Sequence, residues 1–344
     1  MLFNKIKSEV LIIMKKIKFF VISSLLLVLL FSVVTVGFSQ KIILRYSGGF
    51  PPSHPVSQAQ VWFAEELDKR SEGEVKVDAF FGGELYGYAG AIDAASAGAL
   101  DLAYTSISHI ANKNPVFDFS SYFFMINDHQ QMAQISEEVK KIMGPLLEEQ
   151  GLKLLHIFYF GECGITSGVP VREPKDMNGL IIRSTSPAMT WSLEALGATP
   201  ASIASAEQYD AMARGAIDGG GTGYATMVSR KLYEVTDYVI GPFWNPMWIS
   251  FMSLDVWNSL PEDVQNLIEE VSSDTEKKSY EIVSATDQDA IDFLKANQEE
   301  FIYLAPEDRK QWKEPVEPLY QKWVETCEEA GYGEEARKLL ELIS

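Results

Sequence analysis

The stretch NGLIIRSTSPAMTWSLEALGATP, residues 178–200, decides the fold. Its Leu180-Ile181-Ile182 run has the length and apolar character of a buried strand, and Arg183 stands at the C-terminal end of that run. Ser186-Pro187 matches an N-cap followed by the first helical residue, and Gly197 supplies the stop. Strand, short turn and helix in that order are half of a β-α-β unit, and the rest follows: TPASIA (199–204) reads as the next strand. Ser205 with Gln208 predicts a capping box for a helix running to Gly215, and GAIDGGGTG (215–223) predicts a short strand with a glycine turn.

The same alternation precedes residue 160. KIILRYSG (41–48), EVKVDAFF (74–81) and LDLAYTS (100–106) read as strands, with helices predicted over 56–73 and 90–99. The reading is an α/β protein of two lobes, 40–160 and 161–255, joined near LHIFYFGECG (155–164). Residues 256–344 are predicted as C-terminal helices. Ser259 and Glu262 suggest a capping box for a helix that runs to about Asn297. At 1.5 Å per residue it would reach on the order of 50 Å, long enough to pack across both lobes. The alternative is two helices with a break around Ser272-Ser273. Further helices are predicted over 306–329 and 334–342.

The N-terminus reads as a secretory signal, with residues 1–39 removed. Lys15, Lys16 and Lys18 precede an apolar run from Phe19 to Val36, and Gly37 and Ser39 provide small residues before a cut between Ser39 and Gln40. The run is also long enough to serve as an uncleaved anchor; the small-residue site favours cleavage, with no stable membrane insertion afterwards. The chain carries −19, and because residues 1–39 hold five lysines against one glutamate, removing that +4 leaves −23. Such a balance lacks the basic stripe that nucleic acid requires. Cys163 and Cys327 share no metal-ligand or CxxC spacing and are read as two unpaired thiols, although an oxidising compartment would permit a bridge.

Catalytic signatures are missing: no HExxH, no GxSxG and no GxxxxGK[ST] occurs. DGGGTG has Tyr224 where a dinucleotide fingerprint needs its last glycine. His54, His109, His129 and His156 are scattered singly. No metal site and no cofactor is expected. Arg183 is the one suggestive side chain. An arginine at a strand end ordinarily pairs with a neighbouring acid or with water; at the carboxyl edge of an α/β sheet, beside a helix N-terminus, it can also receive an anion through its planar fork. Spacing alone leaves both roles open.

Distributed matches point further. FAEEL (63–67), GGELYG (82–87), AGALDLAYTS (97–106), PKDMNGLIIRS (174–184), LEALGATP (193–200), EQYDAMARGAIDG (207–219) and KLYEVTDYV (231–239) fall in order, with WNSLPEDVQNLI (257–268) opening the long helix. From about Lys41 to Gln265 the chain resembles the extracytoplasmic solute receptors of TRAP transporters, the DctP type. That resemblance implies a two-lobed periplasmic-binding-protein-like fold with the long helix spanning both lobes. It also implies a small organic anion as ligand, with Arg183 gripping its carboxylate, and the membrane permease subunits of a TRAP transporter as partners in the periplasm. Many such receptors carry another arginine where Cys163 stands, and Glu and Asn where Gly221 and Thr222 stand. Those departures argue against a dicarboxylate or sialic acid and for a monocarboxylate with an apolar or ring-containing body.

Aromatics are expected to wall the crevice. Phe50, Tyr224 and Trp244 are the foremost candidates, with Phe158, Tyr159, Phe243 and Trp248 nearby; alternation sends Phe158 or Phe160 to the core. Tyr86, Thr105 and Asn245 complete the expected lining. A secreted α/β enzyme acting on a small acid, or a receptor serving an ABC importer or a sensor kinase, are the rival readings.

Overall fold

Apolar segments of four to eight residues, separated by amphipathic helices, pair into two sheets in the computed structural model. It describes residues 41–343 and isolated positions 3, 14, 16 and 18; the apolar run Phe19–Val36 and the cut between Ser39 and Gln40 lie outside the described residues.

The first sheet contains β1 (Ile42–Ser47), β2 (Val75–Phe80), β3 (Leu102–Ser106), β4 (Leu152–Tyr159) and β10 (Met247–Ser253), in the order β2-β1-β3-β10-β4. β1 runs parallel to β2 and β3, whereas β10 is antiparallel to both its neighbours. Helices α1 (Pro55–Arg70), α2 (Tyr88–Ser96) and α3 (His129–Glu148) cover it. A buried Tyr46 ties the layers together, its hydroxyl lying 2.6 Å from Gln60 Oε1 and 2.7 Å from Ser250 Oγ.

The second sheet contains β5 (Cys163–Ser167), β6 (Ile181–Ser184), β7 (Thr199–Ser202), β8 (Gly219–Gly223), β9 (Tyr238–Trp244) and β11 (Glu300–Tyr303), in the order β11-β9-β5-β8-β6-β7. Its helices are α4 (Pro187–Ala195), α5 (Gln208–Ala213) and α6 (Tyr224–Ser229). The C-terminal part adds α7 (Leu254–Ser259), α8 (Glu262–Asn297), α9 (Lys310–Lys313), α10 (Pro318–Glu329) and α11 (Gly333–Ile343).

Two boundaries of the sequence reading need correction. β10, assigned to the second lobe, is a strand of the first sheet, because the chain crosses back at Asn245-Pro246. An apolar run such as MWISFMS declares a buried strand but not which sheet receives it. β11 also interrupts the C-terminal helices, as a short parallel edge strand on β9.

α8 is one unbroken helix of 36 residues that packs on α1 and β4 of the first lobe and on α6 and β11 of the second. Of the two serines that suggested a break, Ser272 lies on its buried stripe and Ser273 is exposed. Ser272, Thr275 and Ser279 seat the helix closely, and the hydroxyls of Thr275 and Ser279 donate to Val271 O and Glu276 O, each at 2.7 Å. Neither predicted capping box at Ser205 or Ser259 forms. A 3-10 turn occupies 205–207, and Ser259 Oγ donates to Val256 O. Ser186 does cap α4, accepting from Met189 N at 3.2 Å with Pro187 at the first position.

Candidate functional site

Arg183 is the penultimate residue of β6, and the glycines of β8 bring a backbone close enough to hold it. Its Nε donates to Ile203 O at 2.8 Å and its Nη1 to Gly221 O at 2.9 Å. A β-carbon on Gly220 would stand 3.0 Å from Arg183 Cβ; one on Gly221 would stand 2.7 Å from Trp244 Cη2 and closer still to Met189 Cε. The Gly219-Gly220-Gly221 run is thus not the turn that its composition suggested. It is a buried strand whose residues lack side chains because Thr166 and Ile182 at Gly219, Gln208 and Arg183 at Gly220, and Met189 and Trp244 at Gly221 fill that space.

The guanidinium is only 4% exposed and forms no ion pair with a carboxylate among the described residues. Burial pushes its pKa down to about 10; the nearby charge of Arg230 pushes the same way, and Tyr88 opposes. It stays protonated at neutral pH, a buried cation whose two hydrogen bonds among the described residues both go to neutral carbonyls.

It lines a cavity of about 550 Å³ to which both lobes contribute. The first lobe contributes Gly49, Phe50, Tyr88 and His109; the second contributes Arg183, Thr185, Thr222 and Arg230; Phe160, Cys163, Trp244 and Trp248 come from the crossings or beside them. Phe50 stacks on His54 with centroids 3.9 Å apart, and Phe160 stacks on Trp248 at 4.7 Å. Three donors on lining residues lack a hydrogen-bond partner: Tyr88 Oη, Trp248 Nε1 and Arg230 Nε. Buried donors without partners are costly, and at a cavity they are satisfied by whatever enters. Donor-rich, cationic and aromatic, the site suits an acceptor-rich anion with an apolar surface.

Of the expected lining, Phe50, Cys163, Arg183, Thr222, Trp244 and Trp248 are brought together here. The others lie elsewhere, Tyr159 with its hydroxyl 3.5 Å from Asp287 Oδ2 and Phe243 in the core with its ring 5.1 Å from that of Trp312. Tyr224 is fully buried behind β5, its ring 5.3 Å from Phe301. Phe158 lies in the core beneath Trp248, 6.2 Å away. Asn245 pins the return crossing by donating to Ile126 O and Asn127 O. Thr105 sits behind the wall, with Oγ1 2.7 Å from His109 Nδ1, and Tyr86 packs against the first lobe's core. Alternation does not separate Phe158 from Phe160, which are two residues apart. Phe160 reaches the cavity because it lies beyond the end of β4.

The sequence reading missed Arg230, Tyr88 and His109. Arg230 looks like the start of an i,i+4 pair with Glu234, but Lys231 turns left-handed (φ 56°), ends the helix and itself pairs with Glu234 at 3.5 Å. The cavity histidine and its neighbour are neutral: burial, then Arg183, lowers His109 to about 4, and burial, then Arg230, lowers His54 to about 3. Cys163 is buried and its thiol pKa is raised, by burial first and then by Asp287 and Glu162, so it is no thiolate. Both cysteines are free. Among the described residues no three metal-ligating side chains gather.

The family model for DctP, bacterial extracellular solute-binding protein, family 7, matches residues 46–326. The chain belongs to that family. A curated relative, the C4-dicarboxylate-binding periplasmic protein DctP of Rhodobacter capsulatus, is 24% identical over 295 residues, covering 83% of this chain and 88% of the relative. The ectoine/5-hydroxyectoine-binding periplasmic protein UehA of Ruegeria pomeroyi is 26% identical over 281 residues, covering 78% and 81%. A crystal structure of a TRAP periplasmic solute binding protein from Rhodoferax ferrireducens with bound malonate superposes with a TM-score of 0.79 at 25% identity, covering 87% of this chain and 96% of that one. Among the described residues of this family 7 solute-binding protein, no helix is long and apolar enough to cross a membrane.

Proposed function

We propose that this solute-binding protein captures a small organic acid outside the cytoplasmic membrane and delivers it to the permease of a TRAP transporter, without turning it over. The observation that carries the reading is Arg183, a buried guanidinium held by two carbonyls and paired with no acid among the described residues, on a cavity walled by both lobes. The names of relatives support it, since malonate and C4-dicarboxylates are bound by proteins of similar fold or sequence. Arg183 grips the carboxylate, Thr222 and Thr185 offer hydroxyls, and Phe50 and Trp244 cover the apolar part of the ligand. Because both lobes line the cavity, an anion touching both favours the closed arrangement by the difference in its affinity for the two states. Export through a signal cut after Ser39 belongs to the same proposal.

A thermal-shift screen against mono- and dicarboxylates tests it. An acid present at a hundred times its dissociation constant stabilises the fold by about 2.7 kcal/mol, a shift of several degrees. A screen in which no carboxylate moves the midpoint would refute the proposal.

A further inference from the structure

The crossing from β4 to β5 borders a second cavity, of about 300 Å³, that shares no lining residue with the one holding Arg183. Ser284, Asp287, Ile291 and Lys295 give it one wall, a stripe of α8 at helical spacing. Tyr159 at the end of β4, Glu162 in the crossing, Tyr303 on β11 and His129 at the start of α3 lie around it.

Asp287 is 5% exposed. Its Oδ2 accepts from Glu162 N at 2.7 Å, with the Tyr159 hydroxyl at 3.5 Å, but Oδ1 has no partner. Ser284 Oγ and His129 Nδ1, buried atoms of residues on the same cavity, have none either. Gly161 makes room for the carboxyl: at its positive φ of 112°, a β-carbon would stand 2.6 Å from both oxygens. Glu162 receives the Tyr303 hydroxyl at 3.2 Å from each carboxylate oxygen. Neither acid forms an ion pair among the described residues. Lys295 keeps its ammonium 5.8 Å over the Phe301 ring, and Arg309 donates to Leu304 O and Asn127 O.

A carboxylate oxygen, a hydroxyl and a neutral imidazole nitrogen can all accept, and a primary ammonium brings three N–H donors together with the charge that the two acids lack. Tyr159, Tyr303 and Ile291 offer ring faces and apolar surface to its carbon stem. A metal ion suits the cavity less, because among the described residues no three His, Cys, Asp or Glu side chains gather to ligate one. We propose that this cavity binds a small primary ammonium compound, anchored on Asp287 and Glu162 with Ser284 and His129 as further acceptors.

The empty site holds a proton instead. Burial, reinforced by Glu162, raises Asp287 to about 8, so a cation bound below that pH sends the proton of Asp287 to solvent. Affinity should therefore rise from pH 6 to 8, by up to about ten-fold per unit, and level off above. Glu162, raised by burial first, and His129, lowered by burial, push the same way, since each is less positive or more negative as pH rises. Burial raises Tyr159, Tyr224 and Cys163 and takes Tyr303 to about 12, so these stay neutral; Lys295, Arg309 and Asp128 are the remaining charges nearby.

The test is calorimetry on the chain from Gln40 onward with n-butylamine, ethanolamine and 1,4-diaminobutane, against sodium and potassium chloride at equal ionic strength, in two buffers of different ionisation enthalpy. At pH 7 at least one amine should bind wild type with release of about one proton, and Asp287→Asn, which keeps an acceptor for Glu162 N, should bind it at least about ten-fold more weakly without that release. Urea melts confirm that the variant is folded; if it is not, the proton release and the preference for amines in wild type decide alone. Equal binding of sodium or potassium would overturn the proposal in favour of an inorganic cation. Amine binding without proton release, an affinity unchanged within about two-fold in folded Asp287→Asn, or silence from every amine would overturn it as well.

Discussion

Replacing Arg183 by Gln removes the charge while keeping a side chain long enough to remain near the cavity. The guanidinium is 4% exposed and its pKa is pushed down to about 10, chiefly by burial. At about 1.4 kcal/mol per pH unit, a depression of that size is on the order of 3 kcal/mol of charge-burial cost carried by the empty protein at pH 7. The sign is that of a base disfavoured as a cation in the folded state: the cost is fully present at neutral pH and is relieved only as pH rises through about 10. An incoming carboxylate offsets it at once, so Arg183→Gln should weaken the best ligand by about 3 kcal/mol, or roughly two decades in Kd. Stability should respond differently. The variant loses the bonds to Ile203 O and Gly221 O, worth about 1 kcal/mol each, but also loses the buried charge. The empty protein should therefore unfold in urea within about 1–2 kcal/mol of wild type. Calorimetry and urea melts on the same preparation separate the two effects. A Kd unchanged within about two-fold in a folded variant would refute the reasoning, because it would mean that the anion never meets this guanidinium.

Gly221→Ala should cost about 1–3 kcal/mol in a urea melt, since its new methyl would lie 2.7 Å from Trp244 Cη2, a ring already stacked on Phe123; wild-type stability would show that the strand gives way. Affinity for a fully ionised carboxylate should stay flat between pH 6 and 8, because His54 and His109 are lowered to about 3 and about 4 and remain neutral. A gain of about ten-fold on acidification across that range, read by calorimetry, would point to an imidazolium at the ligand. Asp287, raised to about 8 mainly by burial while it accepts from Glu162 N at 2.7 Å, is protonated in the folded chain at neutral pH and ionised in the unfolded one. Its contribution is full below about pH 4 and is lost as pH rises towards 8, so wild-type stability should fall over that window by up to about 1.4 kcal/mol per pH unit. Urea melts from pH 5 to 8 should show a shallower slope in Asp287→Asn; parallel slopes would reject the protonated carboxyl.

Six of the eleven strands, β1, β2, β3, β6, β7 and β8, were legible from local pattern and punctuation, and Ser186-Pro187 marks the helix beside Arg183 with unambiguous capping chemistry. What periodicity does not carry is partnership at a distance. MWISFMS has the same pattern whether it pairs with β9 or crosses back to β3 and β4, and the crossing depends on Asn245 bonding to carbonyls more than a hundred residues away. The site divides along the same line. Arg183 could be placed because it stands near the end of a strand, where chain geometry sets its direction. Arg230 could not, because its obvious local partner, Glu234, is taken by Lys231 once the helix ends in a left-handed residue. Composition pointed the wrong way for β8, since three successive glycines resemble a turn. The close approach of Thr166 and Ile182 at Gly219, of Gln208 and Arg183 at Gly220, and of Met189 and Trp244 at Gly221 explains why the run has no side chains. The residues proposed to hold a ligand are those whose environment is assembled from both lobes, so their placement follows from long-range pairing that local sequence does not encode. A receptor whose lobes close on its ligand requires that arrangement: a site complete within either lobe alone would give neither lobe a reason to move.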